Sequence, residues 1–198
     1  MAAEVGAGVS RKAALRKEIL AARDALAAAK RHELSAEITA QILTLDAYRN
    51  ARRVLAYMSF GSEFDTAALI ADALTAGKAL CLPRVDRATR RLVLHRVNDV
   101  ARDLQEGIWA IREPHADLPH ADLAHIDFVL LPGVAFTPRC ERLGYGGGFY
   151  DRLIPGFPSR PPLVAAAFGV QICERVPLDA NDQRVDVVLT ESDFYCNC

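Results

Sequence analysis

Short runs of consecutive apolar residues, separated by stretches of helical periodicity, constrain the fold of this chain more than any single motif. Phe128-Val-Leu-Leu131 is the clearest run. Apolar residues without alternation suit a strand that is buried on both faces. Residues 54–60, 79–82, 163–168 and 185–189 read as further strands, with Pro83 expected to stop the second of these. Residues 33–45 place Leu34, Ile38, Ile42 and Leu45 on one helical face, and residues 66–76 form a helix closed by Gly77. Ser10 suits an N-cap, and Leu15, Ile19, Ala22 and Leu26 make an apolar stripe behind it. Residues 92–97 alternate apolar and polar and predict an antiparallel strand, while residues 99–125 look irregular. Strands alternating with helices predict a three-layer α/β/α architecture with a mainly parallel central sheet.

With 198 residues, the chain is expected to form a single domain, with its core at about 10–190 and tails at 1–9 and 191–198. The net charge of −1 has no basic excess, so nucleic-acid partners are not expected. No apolar run approaches the ~20 residues that span a bilayer, and the N-terminus lacks a signal-peptide pattern. A cytoplasmic monomer is expected. The five cysteines are scattered, which argues against a disulfide framework. Cys196 and Cys198 offer too few ligands for a metal site. No motif surrounds His95, His115, His120 or His125, and none is expected to be catalytic.

The chemistry concentrates in Arg142-Leu-Gly-Tyr-Gly-Gly-Gly-Phe-Tyr-Asp151. Gly144, Gly146, Gly147 and Gly148 follow a buried strand, where ligands sit in open α/β sheets. Such a cluster either makes a tight loop or lets backbone N–H groups cradle an anion. A helix starting near Phe149 would add its positive end. The segment is neither a Walker A loop nor a dinucleotide fingerprint. Arg142 offers a fork of donors to phosphate, and Asp151 a hard oxygen to Mg²⁺.

This segment resembles the signature of the 5-formyltetrahydrofolate cyclo-ligases, also called methenyltetrahydrofolate synthetases. Three other segments are similar in the same order: Lys12-Ala-Ala-Leu-Arg16, Tyr57-Met-Ser-Phe-Gly-Ser-Glu63-Phe-Asp-Thr66, and Ala166-Ala-Phe-Gly-Val-Gln-Ile172 with Asp182 and Val185-Asp-Val-Val188. The likeness runs from about Ser10 to Thr190. Tyr145 and Gly147 stand where some eukaryotic members place basic residues.

The resemblance implies a sugar-phosphate isomerase/CoA transferase-like fold and ATP-dependent cyclisation of 5-formyltetrahydrofolate to 5,10-methenyltetrahydrofolate. Lys12 and Arg16, on one helix face, would contact ATP phosphates, as would Arg142 and the loop Leu143, Gly144, Tyr145, Gly146, Gly147, Gly148 and Phe149. The glycine loop and Tyr150 would also meet the folate, with Met58 lining its pocket and Glu63 bonded to the pterin. Arg142 and Tyr150 would be catalytic, and Asp151 and Asp186 would hold Mg²⁺. Trp109 could wall the folate pocket or anchor a lid or the core. Two alternatives compete: a sugar-phosphate or CoA-handling enzyme of similar fold, and a noncatalytic folate or nucleotide binder.

Overall fold

The apolar runs pair edge to edge in a computed structural model that describes residues 2–107 and 111–197, with side chains from residue 11 onward. Trp109 lies outside the described residues. Helix α1 (Ala2–Asp24) and helix α2 (Ala28–Thr44) open the chain, followed by the short α3 (Asp46–Asn50). Strand β1 (Arg53–Leu55) leads through α4 (Ala67–Thr75) to β2 (Ala79–Asp86) and β3 (Arg91–Val97). The next stretch contains α5 (Val100–Asp103), β4 (Leu104–Glu106) and β5 (Arg112–Pro114). Then come β6 (Phe128–Leu131), the hairpin of β7 (Ala135–Phe136) and β8 (Arg142–Leu143), and α6 (Phe149–Leu153). Strands β9 (Leu163–Ala166), β10 (Val187–Leu189) and β11 (Phe194–Cys196) complete the order.

The main sheet runs β11-β10-β9-β6-β1-β2-β3. Its inner pairs are parallel, and only the edge strands β3 and β11 are antiparallel. Successive residues of β6 point to opposite faces. Phe128 and Leu130 pack with Leu34, Ile38, Ile42 and Leu69 of α2 and α4. Val129 and Leu131 pack with Leu153, Ile154 and Phe157 beyond the other face. This two-sided burial is why β6 carries no polar residue. No helix among the described residues is long and apolar enough to cross a membrane.

Several expectations need correction. The first helix begins at Ala2, so Ser10 is interior rather than a cap; Ala2, Ala3 and Ala7 extend the helix-favouring run toward the N-terminus. Residues 56–60 continue past β1 without strand pairing. Strand β2 runs through Pro83, because β1 accompanies it only to Cys81 and no neighbour on that side asks Pro83 for an N–H. The stretch 99–125 is not wholly irregular: β4 and β5 form a hairpin, and the Asp99 carboxylate caps α5 by accepting from Ala101 and Arg102. Residues 194–196 are an edge strand rather than a tail. His95 is buried, bonded through Nδ1 to the Leu118 carbonyl oxygen at 2.9 Å and set edge-on against His120, a packing role.

Candidate active site

The sheet topology locates the site. From β1 the chain moves to β2 on one side, whereas β6, on the other side of β1, continues outward to β9. Strand order therefore reverses between β1 and β6, which opens a crevice at their carboxyl ends. A cavity of about 790 Å³ occupies this place, within the range of small-molecule sites. Tyr57 and Met58 enter its wall from the end of β1, Pro132 from the end of β6, and Pro83 and Val85 from β2.

The β7–β8 hairpin brings the glycine loop back over the same end. Its register sets Arg142 opposite Phe136 and Leu143 opposite Ala135, and Leu143 packs with Ile19 of α1. Gly146 (φ +100°) and Gly148 (φ +63°) adopt backbone conformations that side chains resist. Arg16 Nε donates to the Gly144 carbonyl at 2.8 Å, and Arg152 Nη2 donates to that of Gly147 at 2.9 Å. The loop carbonyls are thus held from behind. Among the described residues, nothing accepts from the amides of Tyr145, Gly146 or Gly147. Three free donors in a row form a nest suited to an anion. Helix α6 is too short to add much dipole to such a nest.

Arg142 is 4% exposed yet lines the cavity. It donates through Nη2 to Asp151 Oδ1 at 2.6 Å and through Nη1 to the Pro132 carbonyl at 3.2 Å, while its buried Nε has no partner. Asp151 Oδ1 also accepts from the Gln183 amide at 3.1 Å, so both bonds fall on one oxygen.

Glu63, which also lines the cavity, is buried. Its Oε2 accepts from the Phe60 amide at 3.0 Å and its Oε1 from the Tyr145 hydroxyl at 2.6 Å. Burial pushes its pKa above the ordinary carboxylate value, although these bonds and the charge of Arg23 oppose the rise. Tyr150 stands near both Glu63 and Arg142. Burial first, then the Glu63 charge, drives its phenol pKa upward, which keeps the hydroxyl a donor at neutral pH.

Most of the expected site residues therefore line one cavity: Met58, Glu63, Arg142, Tyr150, Asp151, and Gly144, Tyr145, Gly147, Gly148 and Phe149 of the glycine loop. Two depart. Lys12 is 7% exposed and paired with Asp179 at 2.6 Å and with Asp182, rather than presented to the cavity. Burial alone would lower its pKa, but the two carboxylates outweigh it and raise the value. Asp186 does not join Asp151. It precedes β10, at the amino ends of the strands, where it accepts from the Leu163 amide at 2.8 Å and from Arg160 at 3.2 Å. Strand length separates it from the cavity. Sequence reasoning passed over Arg23, although its position seven residues after Arg16 was a usable signal, and it passed over the bonding role of Gln171.

Comparison with known proteins identifies the lineage. The model of the 5-formyltetrahydrofolate cyclo-ligase family matches residues 9–191. The chain belongs to that family. Among relatives in the cyclo-ligase family, the mouse 5-formyltetrahydrofolate cyclo-ligase is 30% identical over 191 residues, covering 92% of this chain and 94% of the mouse protein. The enzyme of Escherichia coli K12 is 29% identical over 177 residues, covering 87% and 96%. The solved structure of Aquifex aeolicus 5,10-methenyltetrahydrofolate synthetase superposes with a TM-score of 0.83 at 32% identity, covering 94% of this chain and 92% of that one. A Mycoplasma pneumoniae synthetase, at 21% identity and a TM-score of 0.74, shares the fold.

Proposed function

We propose that this cyclo-ligase family member closes 5-formyltetrahydrofolate to 5,10-methenyltetrahydrofolate at the expense of ATP, releasing ADP and phosphate. One observation carries the reading. A single cavity is lined by Tyr145 and Gly147, whose amides are free, by Arg142, and by the buried carboxylate of Glu63. The amides and Arg142 suit a terminal phosphate, and the carboxylate suits the donor edge of a pterin.

The formyl group is a poor electrophile, and its oxygen a poor leaving group. Transfer of the γ-phosphoryl group to that oxygen, with loss of ADP, makes the carbon electrophilic. Attack by N10 then closes the ring, N10 loses its proton, and phosphate departs with the former formyl oxygen. The protein's part is to orient the reactants and balance the charge on the transferring group. The loop amides and Arg142 are placed for the charge, and Tyr150 can donate to an oxygen near both ends of the site. Arg16 acts from behind, by fixing the loop. Lys12 would reach a phosphate only by giving up Asp179 and Asp182.

The described residues contain no cluster of three metal-ligating side chains. Mg²⁺ often uses one protein carboxylate with phosphates and water completing its shell, and the second oxygen of Asp151 fits that arrangement. The ion would neutralise phosphate charge there. Asp151→Asn is expected to raise the Mg²⁺ concentration needed for half-maximal rate by at least about tenfold, read from metal titrations at fixed ATP. An unchanged titration would remove Asp151 from this role.

The direct test mixes the purified protein with ATP, Mg²⁺ and 5-formyltetrahydrofolate. Near-ultraviolet absorbance of the methenyl product should grow, and ADP should appear only when the folate is present. ADP release without folate, or folate binding without product, would overturn the reading.

A further inference from the structure

Helix α1 reaches the pterin side of the cavity as well as the phosphate loop. Arg23 follows Arg16 by two helical turns and so emerges on nearly the same side. Arg16 holds the Gly144 carbonyl, and Arg23 holds the next residue: its Nη1 donates to the Tyr145 hydroxyl oxygen at 2.9 Å. Arg23 Nε donates to Ser62 Oγ at 2.9 Å, and Ser62 donates in turn to Asp24. The Tyr145 hydroxyl in turn donates a hydrogen bond to the Glu63 carboxylate at 2.6 Å. Arg23 is 3% exposed and does not line the cavity. A guanidinium withdrawn so far from water is costly unless it is paired, and here its charge is answered through Tyr145 and Ser62 by Glu63 and Asp24.

We propose that Arg23 is a positioning residue for folate recognition, which orients Tyr145 and through it keeps Glu63 ionised and aimed at the donor edge of the pterin. This rests on the cyclo-ligase reading above. The geometry makes the role specific. Glu63 is buried, and a protonated Glu63 would present a hydroxyl where pterin N–H groups approach. Three groups oppose protonation: the Tyr145 hydroxyl, the Phe60 amide and the Arg23 charge. The remaining groups facing this carboxylate, Tyr57 and Tyr150, are phenols with raised pKa values and stay neutral. Asp24 stands behind Ser62. Tyr145 is held by one further partner, its ring 5.4 Å from that of Phe60, and the Arg23 guanidinium carbon lies 5.9 Å from the same ring.

The sign follows directly. Removing the Arg23 charge leaves the effect of burial less opposed, so Glu63 ionises only at higher pH. The acid limb of kcat/KM for the folate then moves to higher pH. Near neutrality the folate KM rises roughly tenfold, as expected for loss of a bond to a charged group. The ATP KM and the kcat at saturating folate stay close to wild type.

The experiment compares wild type, Arg23→Met, Arg23→Lys and Tyr145→Phe by steady-state kinetics across pH, by thermal melting, and by fluorescence titration of folate without ATP. Arg23→Met should shift the limb and weaken folate binding, Arg23→Lys should recover most of both, and Tyr145→Phe should move them in the same direction. An unchanged limb and folate KM in Arg23→Met would overturn the proposal. So would equal losses for ATP and folate that Arg23→Lys does not recover, the pattern of a merely structural residue. If Arg23→Met does not fold, Tyr145→Phe carries the same test, since it deletes only the hydroxyl. If wild type forms no methenyl product, the cyclo-ligase reading fails by itself, and the folate titration still reads the role of Arg23.

Discussion

Arg142→Ala is expected to lower kcat by about 10²–10³-fold, the effect of deleting one donor to a transition-state oxyanion. The structure adds a second consequence. The side chain is buried and joined to Asp151 at 2.6 Å, so its removal leaves a carboxylate facing a void with one backbone donor. Breaking such a pair by deleting one partner costs about 3 kcal/mol where the survivor keeps some solvent, as Asp151 does. For a chain of this size that lowers Tm by roughly 6–12 °C. Arg142→Lys separates the two effects. It restores a cation to Asp151 and most of the stability, but it lacks the fork that serves Asp151 and Pro132 while leaving Nε free. Kinetics and calorimetry on both variants check this. Full activity in Arg142→Lys would show that charge alone suffices.

The second large effect falls on a residue outside the cavity. Gln171 is buried, and its side chain serves three backbone groups: Nε2 donates to the carbonyls of Gly133 and Val134 at 3.1 Å each, and Oε1 accepts from the Phe168 amide at 2.9 Å. It joins the turn after β9 to the turn after β6, directly behind the crevice. Gln171→Leu fills similar space yet leaves those buried groups without their side-chain partner. Each buried unsatisfied group costs about 1–3 kcal/mol, so a loss of about 3 kcal/mol is expected after local rearrangement. Chemical denaturation should show a lower midpoint with an unchanged slope. A midpoint within error of wild type would mean that other groups or water replace the amide.

What could be read from the chain followed from how local each feature is. Strand β6 declared itself, because burial on both faces forbids polar residues. The glycine loop was legible, because positive φ at Gly146 and Gly148 restricts residue choice. Features set by distant partners were hidden. Pro83 looked like a strand stop until the end of β1 at Cys81 was visible. Lys12 and Arg16 were rightly placed on one face of α1, but no periodicity reveals that Asp179 and Asp182 wait opposite Lys12. Asp186 shares the C-terminal similarity block, yet strand direction puts it at the far end of β10. Strand β11 was missed because three residues make too short a pattern to stand out from a loop.

Helix α1 grips the glycine loop from far away along the polypeptide: Arg16 and Gly144 are 128 positions apart, and Arg23 and Tyr145 are 122. Closing a chain segment of that size is among the slowest and most entropically demanding events available to a protein of this length. The sheet can assemble from nearer neighbours first, through β1–β2 and β2–β3. Secondary structure can therefore regenerate before the site does, and a molecule with its N-terminal helix undocked would have a nearly native sheet and a glycine loop without its arginine supports.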